Sequence, residues 1–371
     1  MCIVALDRKS KNMTKKGNSK KKKAHEEGRG RTITYCDAIN EAIHQEMERN
    51  SDIFVYGIET KMFGSLKGLE ERFGKSRFFA TPLSEESMTG FGLGAAVAGM
   101  RPIHNHIRVD FFLLAMNQLI NMISSYHYGT AGKVKVPLVI RAVIGRGWGQ
   151  GYQHSKSLHS LFAHIPGLKV IMPTTPYDAK GLLIAAIRDD NPVIMSEHPW
   201  LYWQGGHVPE NSYVVPIGKG NVIRKGSDIT VVAISWMNVE AMQAADILAR
   251  RGIRVEIIDP RTIAPFDDLI VTESVKKTGR CIVVDTDWLH CGFSAEVAAR
   301  VSEKCFSRLK SPVIRIGFAP TPCPTTRPLE NEFYPNAKTI VRAIEKMIGL
   351  SPTDLSKENF YSHENRFKGP F

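Results

Sequence analysis

The chain reads as an α/β protein made of two doubly wound α/β domains. Three observations predict this. Strand-like apolar runs alternate with helical stretches from 32 to 348, the strands are apolar throughout instead of alternating, and a Trp-, Pro- and Gly-rich stretch at 199–227 interrupts the alternation once. Continuously apolar strands belong to parallel sheets covered on both faces, and alternating helices supply the crossovers such sheets need. At 371 residues and 43 % hydrophobic, the chain can fill two cores. The expected organisation is a basic tail (1–31), a first domain (32–198), a linker (199–227), a second domain (228–348) and a polar C-terminal tail (349–371).

In the first domain, Ala38, Ile39, Ile43 and Met47 sit at helical spacing and predict a helix over 35–49, followed by a buried strand at 52–57. A second strand at 78–80 runs into Thr81-Pro82-Leu83-Ser84-Glu85-Glu86 and then a Gly- and Ala-rich helix through Gly90, Gly92, Gly94 and Gly99. So many small residues imply that another surface presses closely against that helix. Strand-like sequence resumes at 101, and the stripe Leu114, Met116, Leu119, Ile120, Ile123 predicts one long helix over 111–126. Strands are expected at 136–142, 169–173 and 193–196, with an amphipathic helix over 178–188 that Thr175-Pro176 would cap. In the second domain strands at 229–235, 253–258, 280–285 and 312–317 alternate with helices at 238–251, 267–277, 294–308 and 336–348.

The formal charge of +12 suggests a polyanion partner until it is localised. Eleven Lys and Arg against three acidic residues put +8 of it in residues 1–31, centred on Lys20 to Lys23. The folded part lacks a basic aromatic face, so nucleic-acid binding is not expected and the tail reads as a solvated extension. No apolar run is long enough to span a membrane. Six cysteines lie scattered without CxxC spacing, which argues against a zinc site or a disulfide framework and fits a reducing, cytoplasmic setting.

Glu85 is the first candidate for chemistry. An acidic residue at a helix start is an ordinary complement to the helix dipole, but beside a glycine-lined contact surface it could also control one proton of a bound heterocycle. His154, in Gln153-His154-Ser155 after the Gly145–Gly151 loop, is a candidate proton shuttle or anchor for a substrate carboxylate. Phe111, in Val109-Asp110-Phe111-Phe112, is either core packing or a ring for stacking. His104 and His106 form a His-x-His on a strand without carboxylate or thiolate partners, which is a poor metal signal. His164 reads as a helix-terminal structural residue.

Read together in order, Thr81-Pro82-Leu83-Ser84-Glu85, Gln153-His154-Ser155-Lys156-Ser157-Leu158, Phe162-Ala163-His164-Ile165-Pro166-Gly167-Leu168 and Pro173-Thr174-Thr175-Pro176-Tyr177-Asp178 resemble a known family. It is the beta subunit of the decarboxylase component of 2-oxo acid dehydrogenase complexes (pyruvate, branched-chain and acetoin types), within the transketolase-like superfamily. The likeness runs collinearly over roughly 32–348. It implies a pyrimidine-binding domain at 32–198, a transketolase C-terminal domain at 228–348, and thiamine diphosphate as cofactor. Glu85 would then hydrogen-bond the cofactor's pyrimidine ring, with Glu86 one place off the family's register. Phe111 would stack on that ring, and His154 would be the active-site histidine. The family also implies a structural potassium ion on the main-chain carbonyls of Leu138, Ala186, Asp189 and Asn191.

No Gly-Asp-Gly occurs anywhere in the chain, so the magnesium and diphosphate half of such a site has to come from an alpha subunit, in an α2β2 heterotetramer. The resemblance further implies acyl transfer to lipoamide on an acyltransferase core. Some segments depart from the family's pattern. His104-Asn105-His106-Ile107-Arg108 replaces an acidic or polar run, and Arg108, Arg146 and Trp148 could reshape the substrate pocket. Asp285-Thr286-Asp287 and the run from Cys291 to Glu296 carry substitutions that bear on docking of the acyltransferase. These departures motivate an alternative, a transketolase- or synthase-like carboligase subunit acting on a sugar or other keto substrate without a lipoyl partner.

Overall fold

The computed structural model describes residues 31–58, 64–145 and 149–360. The basic tail short of Arg31, Arg146, Trp148 and the end of the C-terminal tail lie outside them. In chain order the strands are β1 (Thr32–Thr34), β2 (Ile53–Gly57), β3 (Phe78–Ala80), β4 (Arg101–Arg108), β5 (Val139–Val143), β6 (Lys169–Ile171), β7 (Val193–Glu197), β8 (Gly205–His207), β9 (Asn221–Arg224), β10 (Ile229–Ala233), β11 (Val255–Asp259), β12 (Thr262–Ala264), β13 (Cys281–Trp288) and β14 (Ile314–Phe318). They form a seven-stranded sheet in the order β12-β6-β7-β5-β4-β2-β3, a five-stranded sheet in the order β14-β13-β10-β11-β9, and the pair β1-β8. In each large sheet only an edge strand, β12 or β9, runs antiparallel. β2, β5, β7, β10 and β11 are buried along their whole length, as their apolar runs require.

Helix Tyr35–Arg49 starts where Thr34 accepts a hydrogen bond from Asp37 N, and it buries Ile39, Ile43 and Met47 along one stripe. Helix Pro176–Arg188 is capped the same way by Thr175, with proline at its first position, and packs against the first helix. The expected single helix over 111–126 is instead three pieces: a 3-10 segment Val109–Ala115, a π-helical segment Asn117–Ile123 and a short α-helix Ser124–Gly129. Of the expected stripe Leu119 and Ile123 are buried, whereas Leu114 in the 3-10 segment is exposed, so apolar spacing alone did not separate the three windings. At the end of β2, Gly57 (φ +148°) lies so close to β4 that an added Cβ would stand 2.0 Å from Asn105 O. Only glycine fits there.

The two domains are knitted together more than a simple linker suggests. The stretch 199–227 contains β8, which pairs with β1, and β9, which edges the second sheet. Thr262 and Ala264, from the second half of the chain, pair with Ile171 and Val170 and so cover the β6 edge of the first sheet. At this crossing Arg261 Nη2 lies 2.7 Å from Asp178 Oδ1, and Arg261 N donates to Asp259 Oδ1 at 2.9 Å.

Burial and the neighbouring Asp178 carboxylate push Asp259 up to about 7. A carboxyl group whose pKa is higher folded than unfolded keeps a proton that the unfolded chain has lost, so its contribution to stability falls as pH rises from about 4 towards 7. Asp259→Asn mimics the protonated group. It is expected to raise the melting temperature at pH 8, through a stabilisation of up to about 4 kcal/mol, and to flatten the decline between pH 5 and 8. Thermal scans across that range check this; a variant whose profile parallels the wild type would show that Asp259 is ionised in the fold.

Candidate active site

Three loops leave the C-terminal ends of β3, β4 and β5, the edge at which open α/β sheets bind ligands. After β3, residues 81–84 turn into helix Glu85–Val97, with Ser84 as its cap residue. Glu85 is its first residue and is part exposed. Among the described residues, no hydrogen bond or ion pair ties down its carboxylate. Glu86, by contrast, is exposed and accepts from Asn117 Nδ2 at 3.4 Å. The glycine-rich face does meet close neighbours: a Cβ on Gly92 would lie 2.2 Å from Tyr56 Oη, and one on Gly90 would lie 3.2 Å from Gln118 Oε1. Gly94 has nothing within 4 Å in this chain. Along this helix and the segment packed on it, Leu83, Phe91, Leu113 and Leu114 are exposed, an apolar face of the kind a partner covers.

After β4 the chain coils tightly through Val109–Ala115. This presents Phe111, half-buried, against the His154 ring at 5.2 Å between centroids, edge to face at 75°. His154 follows a single 3-10 turn, Gly151–Gln153, on the loop after β5. Burial, and then the Arg108 guanidinium, hold the His154 pKa below its ordinary value, with Asp110 opposing them. The imidazole is therefore neutral near pH 7 and can accept a proton or a hydrogen bond.

Three charged neighbours were not singled out together from the sequence. Arg108 is buried at the end of β4 and donates to Gly145 O at 3.3 Å and to Gln150 Oε1. Asp110 Oδ1 accepts from both the backbone N (3.2 Å) and Nζ (3.3 Å) of Lys156, and burial raises its pKa despite that cation. A signal existed: Asp110 adjoins Phe111, and Lys156 lies two residues from His154. What sequence lacks is the 46-residue separation closing into one contact.

His104 and His106 are buried on β4 and hold no metal-like arrangement. Tyr56 Oη lies 2.9 Å from His104 Nδ1, and His106 packs edge-on to Phe112 at 4.4 Å. Burial drives the His104 pKa well below 6.5 and that of His106 to about 4, so both are neutral packing groups. His164 lies at the C-terminal end of helix His159–Ala163, as its sequence position suggested. Three of the four carbonyls named for potassium, those of Leu138, Ala186 and Asp189, are engaged inside the chain. Leu138 O accepts from Val193 N at 2.9 Å, Ala186 O from Asp189 N at 3.2 Å, and Asp189 O from Arg101 Nη2 at 2.6 Å.

Two α/β domains, with a helix-head carboxylate and an aromatic–histidine pair on adjoining loops at the strand ends, define a transketolase-like enzyme subunit. Residues 31–202 match the transketolase pyrimidine-binding domain and residues 218–340 the transketolase C-terminal domain. The chain is 41% identical over 323 residues to the acetoin:2,6-dichlorophenolindophenol oxidoreductase subunit beta of Cupriavidus necator, covering 83% of this chain and 95% of that one. To the 2-oxoisovalerate dehydrogenase subunit beta of Bacillus subtilis it is 40% identical, over 85% of this chain and 98% of the other. The mitochondrial pyruvate dehydrogenase E1 component subunit beta of Caenorhabditis elegans is 37% identical, over 86% and 94%. A solved structure titled split gene transketolase, inactive beta4 tetramer, shares the fold with a TM-score of 0.70 at 22% identity, covering 86% of this chain and 99% of that one. The chain belongs to the family of 2-oxo acid dehydrogenase E1 beta subunits.

Proposed function

We propose that this chain is the beta subunit of a thiamine-diphosphate-dependent 2-oxo acid dehydrogenase, catalysing oxidative decarboxylation of a 2-oxo acid with acyl transfer to lipoamide. The observation that carries the reading is the unengaged Glu85 carboxylate at a helix head, on the same sheet edge as the Phe111–His154 pair. The relatives named above as pyruvate, acetoin and 2-oxoisovalerate enzymes support it along most of the chain.

The residues present fit half of a thiamine diphosphate site. Among the described residues the Glu85 carboxylate has no hydrogen-bond or ion-pair partner to displace, and Phe111 offers a half-buried ring. Bound thiamine diphosphate would supply the electron sink for loss of carbon dioxide. In that site Glu85 would hold a proton at the pyrimidine ring nitrogen, Phe111 would stack on the ring, and neutral His154 would accept or return a proton at the substrate oxygen. Arg108, one strand-end away, adds positive charge suited to a carboxylate substrate.

The absence of any Gly-Asp-Gly assigns the diphosphate and its Mg2+ to an alpha subunit in an α2β2 heterotetramer, and the exposed apolar face around helix Glu85–Val97 is consistent with such a partner. The reading includes a lipoyl acyltransferase core as the acyl acceptor's carrier, and a cytoplasmic location, which cell fractionation checks. It also includes a potassium ion on the carbonyls of Leu138, Ala186, Asp189 and Asn191. That ion would share the Asp189 carbonyl with the Arg101 guanidinium, a like-charge neighbour that weakens the site.

The test is reconstitution with an alpha subunit of this family. Oxidative turnover of 2-oxo acids, followed with an artificial electron acceptor and then with a lipoyl domain, is expected to require thiamine diphosphate. Ketol transfer between sugars without any oxidative decarboxylation would reject this function in favour of a carboligase. Replacing potassium by sodium in the same preparation, with no change in thermal stability, removes the potassium ion from the reading.

A further inference from the structure

Five residues beyond His154, the same loop meets the second domain at a point where three titratable groups are buried together. His159 opens helix His159–Ala163 and is wholly buried. Its Nε2 lies 3.0 Å from Asp285 Oδ1 and 3.9 Å from Asp287 Oδ2, both on β13 of the second domain. The next residue repeats the link, since Ser160 Oγ donates to Asp287 Oδ2 at 2.5 Å and accepts from Phe293 N at 2.8 Å. Phe293 is the first residue of helix Phe293–Cys305. Two consecutive residues of the first domain thus grip a strand end and a helix start of the second.

The loop is fixed on its other side too. Lys156 is held to Asp110 through its backbone N and its Nζ, and Lys156 O accepts from Gly145 N at 2.9 Å. Leu158, between the two anchors, has φ +52°, a left-handed conformation that a side chain with a Cβ adopts only when its surroundings enforce it.

We propose that His159 is a positioning residue for His154, and that its buried link to Asp285 and Asp287 is how the second domain sets the geometry of the active-site loop. The inference rests on the reading of His154 given above. Stability alone does not account for the cluster, because a well-packed apolar contact would serve as well as a buried charged group or better. What a directional link adds is one seating of the loop. Burial disfavours the imidazolium, but the two aspartates outweigh it, so the His159 pKa is raised. His159 Nε2 and the Asp285 carboxylate meet at 3.0 Å without hydrogen-bond geometry, and Asp285 has no hydrogen-bond partner among the described residues, so this close polar contact to His159 is what engages its buried carboxylate.

The experiment uses the reconstituted αβ enzyme with His159→Ala, His159→Gln, Asp285→Asn and His154→Ala. The measurements are kcat, KM for the 2-oxo acid, thiamine diphosphate affinity, melting temperature and amide hydrogen exchange across 149–158. His159→Ala is expected to lower kcat about 10–100-fold, the scale for roughly an ångström of misplacement, with KM and cofactor affinity within about threefold and faster exchange in the loop. His159→Gln keeps a donor near Asp285 and should recover most of the lost kcat. Wild-type kcat in His159→Ala overturns the proposal. So does a kcat loss that merely tracks melting temperature across the series, with no rescue by Gln and no local change in exchange. Should the Ala variant fail to fold, the Gln and Asn variants decide by the same criteria. Full turnover in His154→Ala would instead reject the function assigned to that residue, and exchange across 149–158 then decides alone whether His159 fixes the loop.

Discussion

Glu85→Gln is expected to leave the fold unchanged and to reduce turnover of the reconstituted enzyme by about 10³-fold or more, near the upper end of what one acid–base group contributes. The fold should survive because Glu85 is part exposed at the head of its helix, without a hydrogen bond to lose among the described residues, and Gln has nearly the same size. Helix-dipole complementation is the structural role its position supports, worth about 0.3–1 kcal/mol. A measurable but small drop in melting temperature is therefore compatible with a purely structural residue. A collapse in kcat at an unchanged melting temperature is not. Glu86→Gln is the control, since Glu86 lies on the exposed side and contacts Asn117. If both variants turn over at the wild-type rate, neither carboxylate handles the proton.

The elements legible in the sequence were those fixed by local chemistry. Thr175 announces a helix start, and helix Tyr35–Arg49 falls where its apolar period places it. Fully apolar runs such as β5 and β7 are readable because burial on both faces removes any need for polar residues. What escaped was set by partners distant in the chain. β12 is three residues long between Arg261 and Pro265, and it is a strand only because the β6 edge lies beside it. β8, in Gly205-Gly206-His207, depends likewise on β1. The helix Arg327–Phe333 was missed because its start, Thr326-Arg327-Pro328, sits in a proline-rich stretch that reads as turn.

The candidate site divides in the same way. Glu85, Phe111 and His154 stand in recognisable motifs, whereas Asp110–Lys156 and His159–Asp285 are contacts that no local pattern encodes. His159 carries no local signal of its role because its partners follow over 120 residues later. In the proposed function the two kinds of residue also differ in role: the motif residues would face the reaction, and the long-range pairs would hold the loops that carry them.

The largest stability effect is expected below those loops, at Arg141 and Glu197. Arg141 Nε and Nη2 donate to Glu197 Oε1 and Oε2 at 2.7 and 2.9 Å, with both side chains 2% exposed or less. Tyr202 Oη donates to the same carboxylate at 2.8 Å, and Arg141 Nη2 reaches Ser65 Oγ at 3.0 Å. The pair joins β5 to β7 near the ends from which the Gly145–Gly151 loop departs, and Ile144 N donates to Glu197 O at 3.0 Å. Removing one partner strands the other charge in the core, at a cost of about 3–5 kcal/mol. Glu197→Ala should therefore lower the melting temperature by roughly 5–10 °C for a chain of this size, and Arg141→Met by a similar amount. Because burying a charge is the main cost, the double variant Arg141→Met/Glu197→Leu should be more stable than either single one. Its activity separates the two uses of the pair. Recovery of stability with kcat still depressed would mean that the bidentate geometry, and not merely the packed volume, holds Gly145 and the His154 loop in register. A double variant no more stable than the singles would instead mean that the surrounding core cannot close over the replaced side chains, and that the cost at this position is set by volume and not by charge.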